Sequence, residues 1–367
     1  MLNRVLRVVI WTVSALTAVA YFTLAIRHIL GRGPAGPEER ALLDLAGRMA
    51  RGQAPYVESA VGGSMTALPG LPFLLTPFVD PVHPQAVLAR IAALMFSTLA
   101  VGLVILVARL ESESWTMAAA SGAFACAGLA MVGGTPGAAS AMSLMLVLAL
   151  GGMLALRQGR GVWGALGAAV CVTLGLAVHP LALWFAIATA FYLAFENRPR
   201  LITFTLATGA LVAGGYVLLS QWLGPWFNFA AWDAPAQAVS WQPGPLLHYV
   251  GDVLLGRLSV LVLPAVLTFA LPTAPWRGPG GMWVAAGMAS LLAGAVATQS
   301  TWGSTDALGA MAVLLALVGP ISIQRVTRHL AAWPGSSRLG GQGVVLAALA
   351  LQFIAFIAGA RGFAGLS

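Results

Sequence analysis

Apolar runs long enough to cross a lipid bilayer, repeated from one end of the chain to the other, constrain this sequence more than any other feature. A spanning helix needs about 20 mostly apolar residues, and lipid offers the backbone no hydrogen-bonding partner outside the helix itself. Such runs cover 6–28, 85–108, 116–132, 139–156, 162–178, 181–195, 201–220, 247–271, 282–298, 305–323 and 343–361. The expected fold is an all-α polytopic membrane bundle of about ten or eleven transmembrane helices, one transmembrane domain over 1–367. Composition agrees: 8% of residues are charged and 59% hydrophobic, too little polar surface to cover a water-soluble fold of 367 residues.

All nineteen positive side chains are arginine, scattered singly between apolar runs. They form no basic face, which excludes nucleic acid as a partner. Their distribution sets an expected orientation, because arginine collects in cytoplasmic loops. Arg4, Arg7, Arg109, Arg157, Arg160, Arg198, Arg200, Arg277, Arg325, Arg328 and Arg338 fall on one side of the alternating runs. The loops 133–138, 221–246 and 299–304 on the other side contain none. The N-terminus is therefore expected in the cytoplasm. The first run follows Arg4 and Arg7 as a secretory leader would, but it is long and closes on no small-residue cleavage site, so a retained helix is expected.

One extracytoplasmic loop, 31–83, breaks the charge pattern. It carries Arg32, Arg40, Arg48 and Arg51 together with Glu38, Glu39, Asp44, Glu58 and Asp80. It reads as an amphipathic helix that Pro37 can start, Glu38 and Glu39 suit at the positive end of the dipole, and Gly52 can end. Leu42, Leu45 and Met49 recur at helical spacing, a stripe expected to lie on the membrane surface or pack on the bundle. The apolar piece 66–79 is too short and proline-rich to cross, and is expected to be re-entrant or interfacial. The second outer loop, 221–246, holds Trp222, Trp226, Trp232 and Trp241, four of the chain's 12 tryptophans. Two readings stand side by side: an aromatic belt at headgroup level, or flat apolar platforms for sugar rings or a lipid groove.

Ionisable residues within a membrane helix cost roughly 2.5 to 3.5 kcal/mol each at its centre, so each calls for a partner or a polar cavity. His248 and Asp252 are four residues apart and share a face; Arg257 follows five residues later, rotated and deeper. The ladder suits an anionic lipid phosphate, and equally an internal Asp252–Arg257 ion pair. Arg27 with His28, and His179, stand at the same expected membrane face. No P-loop, GxSxG, HExxH or metal-spaced His/Cys set occurs, and Cys126 and Cys171 sit in apolar runs as small hydrophobes. No inverted repeat halves the chain, which weakens a transporter reading.

The order of features resembles the GT-C superfamily of membrane glycosyltransferases, which includes protein mannosyltransferases and aminoarabinose transferases. The resemblance rests on Glu38-Glu39-Arg40 after the first helix, the amphipathic stretch Ala41 to Arg51, and the turn Gly52-Gln53-Ala54-Pro55-Tyr56. The segment from Leu68 to Leu75 and the Trp226-Phe227-Asn228-Phe229 loop complete it. It implies transfer of a sugar from a polyprenyl-phosphate donor at the outer face of a bacterial inner membrane. An acid of the first loop (Glu38, Glu39 or Asp44) would act as general base, and Arg257, His248 or Arg27 would hold the departing phosphate. The expected partners are membrane lipids and a lipid-linked sugar. No resident cofactor is expected, a divalent metal being the alternative left open. Two departures matter: the family leads its acidic pair with Asp, where this chain has Pro37 or Glu38, and the 133–138 loop has no acid. They keep alive a catalytically inactive relative serving as an assembly subunit among protein partners of a membrane complex, with lipid or solute transport a further alternative.

Overall fold

The computed structural model describes residues 2–31, 36–57, 68–79, 86–132, 136–233, 239–267, 280–299, 305–331 and 343–354. These residues build helices and no strand. In chain order they are α1 (Leu2–Leu30), α2 (Pro37–Ala50), α3 (Gly70–Leu75), α4 (Ala86–Ser112), α5 (Trp115–Val132), α6 (Ala141–Gln158), α7 (Gly161–Val178) and α8 (Ala182–Glu196). After them come α9 (Arg198–Leu223), α10 (Pro225–Asn228), α11 (Pro243–His248), α12 (Ser259–Leu267), α13 (Gly281–Thr298), α14 (Thr305–Ala331) and α15 (Gly343–Ile354). Two segments of π-helix, Phe229–Asp233 and Tyr249–Arg257, continue α10 and α11.

Seven helices (α1, α4, α5, α6, α7, α9 and α13) are long and apolar enough to cross a membrane, and three shorter apolar stretches lie in α8, α14 and α15. Each matches an apolar run of the sequence. The exception is 247–271, expected as one helix. Where described, up to 267, it is the end of a short α-helix, a π-helical stretch and a break at Leu258 (φ −110°, ψ 9°) before α12 resumes.

Helix α5 is the bundle's axis. In its apolar window 83% of residues are buried, against 6% for α9, which runs along the outside. It packs against α1, α4 and α14. Lipid tails are as apolar as side chains, so helices associate in a membrane through close van der Waals packing, which small residues permit. Helix α5 supplies them in Met117-Ala118-Ala119-Ala120-Ser121-Gly122-Ala123 and again at Ala125, Ala127 and Gly128. A Cβ on Gly128 would stand 2.8 Å from Ala312 Cβ of α14. We expect Gly128→Ala to wedge the two helices apart at a cost of about 1–3 kcal/mol. Unfolding of the purified protein in mixed micelles reads this out, and a variant as stable as wild type would refute the seam.

The two ends of the bundle differ. Away from α2, the carboxylate of Glu111 at the end of α4 accepts hydrogen bonds from Arg157 Nε of α6 and Trp283 Nε1 of α13, each at 3.1 Å. Arg200 of α9 reaches the carbonyls of Leu156 and Gly159. These bonds join helices at the end that holds Arg109, Arg157 and Arg200. The α2 end is where the remaining polar groups gather.

Helix α2 begins at Pro37 and stops at Ala50, with Gly52 beyond it in a left-handed conformation (φ +65°), as its sequence predicts. Its apolar stripe does not lie on a membrane surface. Leu42, Leu43 and Ala46 are buried in the main core, and Leu45 in a second core described below. Segment 66–79 is short where described: α3 followed by a 3-10 turn at Thr76–Phe78, with Phe73, Leu74 and Phe78 exposed.

Candidate functional site

Glu39 is 3% exposed and Arg90, near the start of α4, 1%. The guanidinium grips the carboxylate through two bonds of 2.8 Å, Nε to Oε1 and Nη2 to Oε2. A third donor, the backbone N–H of Ala139, reaches Oε1 at 3.2 Å, and Arg90 Nη1 donates to the His28 carbonyl at 3.3 Å. One ion pair thus pins α2 to the end of α1, to α4 and to the link between α5 and α6. Three hydrogen bonds from a guanidinium and a peptide N–H, in a place closed to solvent, build this carboxylate into the packing of the bundle.

Asp44 is about half exposed and bonds Arg48, one turn on, at 2.9 Å. The Glu38 side chain lies outside the described residues, although its backbone is in the first turn of α2.

On the eighth run, His248, Asp252 and Arg257 do come together. Asp252 Oδ2 is 3.1 Å from Arg257 Nη2 and 3.6 Å from His248 Nε2. The π-helix is the reason. Its i→i+5 hydrogen bonding widens the turn, so the five-residue step that rotates Arg257 away in an α-helix returns it to the face of Asp252. Arg257 and His248 are half or more exposed. The π segment is held from behind by Tyr249, a buried residue whose hydroxyl donates to the Leu291 carbonyl at 2.7 Å. Gly294 makes room for it, since a Cβ there would sit 2.6 Å from that hydroxyl. At the break, the carbonyl of Arg257 takes a long bond, 3.5 Å, from Gln352 of α15.

Arg257 Nη1 also approaches the Met131 carbonyl at 3.4 Å. Met131 closes α5 and Ala139 precedes α6, so Arg257 and Glu39 attach to the two ends of one short connection. The first loop and the eighth run therefore meet at the same end of the bundle, around the 132–140 link. Arg27 is exposed at the end of α1, next to His28, and His179 Nδ1 accepts from the Leu181 N–H at 3.2 Å as part of the turn into α8.

Described parts of the two long loops, 31–83 and 221–246, also meet. Leu45 of α2, Tyr56, Leu223 of α9, Phe227 of α10 and Ala230 form a buried core separate from that of the bundle. Tyr56 and Phe227 rings lie 5.6 Å apart, and burial pushes the Tyr56 phenol above its ordinary pKa, so it stays neutral. Gly224 (φ +84°) supplies the left-handed turn that sends the chain from α9 into α10. The tryptophans take different places: Trp222 edges onto Phe73 at 5.7 Å, Trp226 onto Phe229 at 6.0 Å, and Trp232 onto Tyr216 at 6.0 Å, while Trp241 is exposed.

A small apolar cleft between α8, α13 and α14, lined by Leu181, Trp184, Phe185, Ala289, Ala293 and Met311, has room for about one water and no charged group. Among the described residues no cluster of three or more His, Cys, Asp or Glu side chains is placed to hold a metal ion.

This is a polytopic membrane bundle with a GT-C-like fold, as the resemblance implied. Among solved structures it is similar to ArnT from Cupriavidus metallidurans bound to undecaprenyl phosphate: TM-score 0.59, 13% identity, over 94% of this chain and 76% of that one. The apo state of the same ArnT superposes with a TM-score of 0.56 at 13% identity, over 94% and 75% of the two chains. No family profile and no curated protein matches the chain.

Proposed function

We propose that this protein transfers a sugar from a polyprenyl-phosphate donor at the outer face of a bacterial inner membrane, with the α2 end outside and the N-terminus in the cytoplasm. The observation that carries this reading is the half-exposed Arg257, held by the π-helix beside the link that also anchors α2. A phosphate leaving the anomeric carbon gains negative charge, and a guanidinium fixed at the headgroup boundary stabilises it. The His248 imidazole adds an N–H donor on the same face. Asp252 keeps the guanidinium oriented in the absence of phosphate. The likeness to an ArnT bound to undecaprenyl phosphate supports a lipid-linked phosphate as ligand.

With Glu39 tied to Arg90, Glu38 and Asp44 are the first-loop acids left to take the acceptor's proton. Arg257→Gln is expected to weaken binding of undecaprenyl phosphate in nanodiscs about 10- to 100-fold while leaving thermal stability close to wild type. Binding unchanged by that substitution would remove the site. Glu38→Gln with Asp44→Asn should then abolish sugar transfer without loss of lipid binding.

The same ion pair favours a second reading, a GT-C-like subunit that binds lipid without turnover and works within a membrane complex. Glu39, one of the acids offered as base, is held in an ion pair, and Pro37, at the first helical position, cannot serve as an acid. Lipid binding that depends on Arg257, with no transfer from any polyprenyl-phosphate sugar offered, distinguishes this subunit from an enzyme.

A further inference from the structure

The second outer loop holds a cluster that the phosphate site does not use. Tyr56, buried, packs on Phe227; Phe227 packs on Tyr216 at 6.1 Å; and Tyr216 meets Trp232 edge-on at 6.0 Å. The series runs from a buried core to an indole that is 61% exposed. The Tyr216 hydroxyl donates to Asn228 Oδ1 at 2.8 Å. That bond occupies the amide oxygen and leaves the two Nδ2 donors of this exposed residue without a bond among the described residues. Asp233, also exposed, follows Trp232 and ends the π-helical stretch that begins directly after Asn228.

We propose that Trp232, with Asn228 and Asp233, is a docking subsite for a pyranose ring presented at the membrane surface. Three features carry this. A pyranose with equatorial hydroxyls shows a face of axial C–H bonds, weakly positive, which matches the negative face of an indole. Its hydroxyl rim both donates and accepts, which requires an acceptor such as the Asp233 carboxylate and donors such as the Asn228 amide. Height fits as well: Tyr216 is 18 residues along α9 from Arg198, about 27 Å at 1.5 Å per residue, close to the full hydrocarbon thickness. The platform therefore stands at headgroup level, where the sugar of a membrane-anchored substrate sits. A belt tryptophan needs only its ring and one N–H at that level; the buttressed ring and its flanking amide and carboxylate exceed that need. The subsite deepens the sugar-transfer reading by supplying sugar recognition apart from the phosphate.

The test uses full-length protein in phosphatidylethanolamine/phosphatidylglycerol nanodiscs and two probes, soluble chitotetraose and undecaprenyl-phosphate hexose. Quenching of tryptophan emission and saturation-transfer NMR report contact with the sugar protons. Chitotetraose binding is expected to fall about tenfold in Trp232→Ala and in Asn228→Leu, and to survive within about threefold in Trp232→Tyr, which keeps a platform. If the donor's sugar is what docks, the hexose lipid loses affinity in the same variants. If the acceptor's sugar docks, only chitotetraose does. Arg257→Gln separates the two sites, since it should weaken the phosphate-bearing probe and leave chitotetraose unchanged. If it weakens neither probe, the phosphate site fails while the platform stands. Wild-type protein that binds neither probe, or variants that bind both as wild type does, overturns the subsite and leaves Trp232 a belt residue.

Discussion

Replacing Arg90 by Met should destabilise the protein by about 3–5 kcal/mol, because it strands the Glu39 carboxylate in a closed site with one peptide N–H for company. Glu39→Gln should also destabilise, by leaving the buried guanidinium's charge without its carboxylate counter-ion. The double substitution Glu39→Leu with Arg90→Met removes both charges and is expected to return most of the loss, since a buried ion pair is frequently matched by apolar side chains of like volume. Unfolding in mixed micelles, followed as a double-mutant cycle, measures the coupling. A coupling under about 1 kcal/mol would mean that the pair holds nothing. The same double mutant bears on chemistry. If Glu39 were the general base, sugar transfer would vanish from a protein that is still folded. If Glu39 is a fastener, transfer should persist, reduced only as far as α2 shifts.

That pair also shows what the sequence made legible. The limits of α2 were, because Pro37 can open a helix and Gly52 can close one, and both do so here. Its buried face was legible only in part. The stripe Leu42, Leu45 and Met49 was the visible choice, but the face on the main core is Glu39, Leu42, Leu43 and Ala46, at i, i+3, i+4 and i+7. Glu39 lies on that apolar face, so its carboxylate had to find a cation. Arg90, a charge just inside the second apolar run, is the signal that sequence reading overlooked. A charged residue inside a run and a carboxylate on a buried stripe each lack a partner locally, and the pairing follows once both are noticed.

The π-helix was not legible. Nothing in the residues from Tyr249 to Arg257 imposes a wider turn, and local propensities favour an α-helix. The turn depends on Tyr249 reaching a carbonyl of α13 through the space that Gly294 leaves, and on Gln352 meeting the broken end. These contacts lie 42 and 95 residues away, beyond any local pattern. The histidine, the acid and the arginine were visible; the geometry that makes Arg257 share a face with Asp252 was tertiary.

Phe227→Ala should loosen the two outer loops together. Phe227 is 4% exposed and touches both Tyr56 and Tyr216, so its ring is the piece common to the first loop, α9 and α10. Removing a buried phenyl ring costs about 3–5 kcal/mol when the cavity cannot collapse. Here the loss falls on a small core distinct from that of the bundle. It should therefore appear as local opening rather than as global unfolding. Hydrogen exchange is expected to quicken by about 100-fold or more in residues 45–57 and 223–233, with α5 and α6 unchanged. Acceleration confined to 223–233 would show that Leu45 and Tyr56 are held by the bundle alone and that the loops are not one unit. The Glu39–Arg90 pair predicts where the opening stops. The first turn of α2 stays fastened to α4, so protection should fall toward its C-terminal end and persist near Glu39.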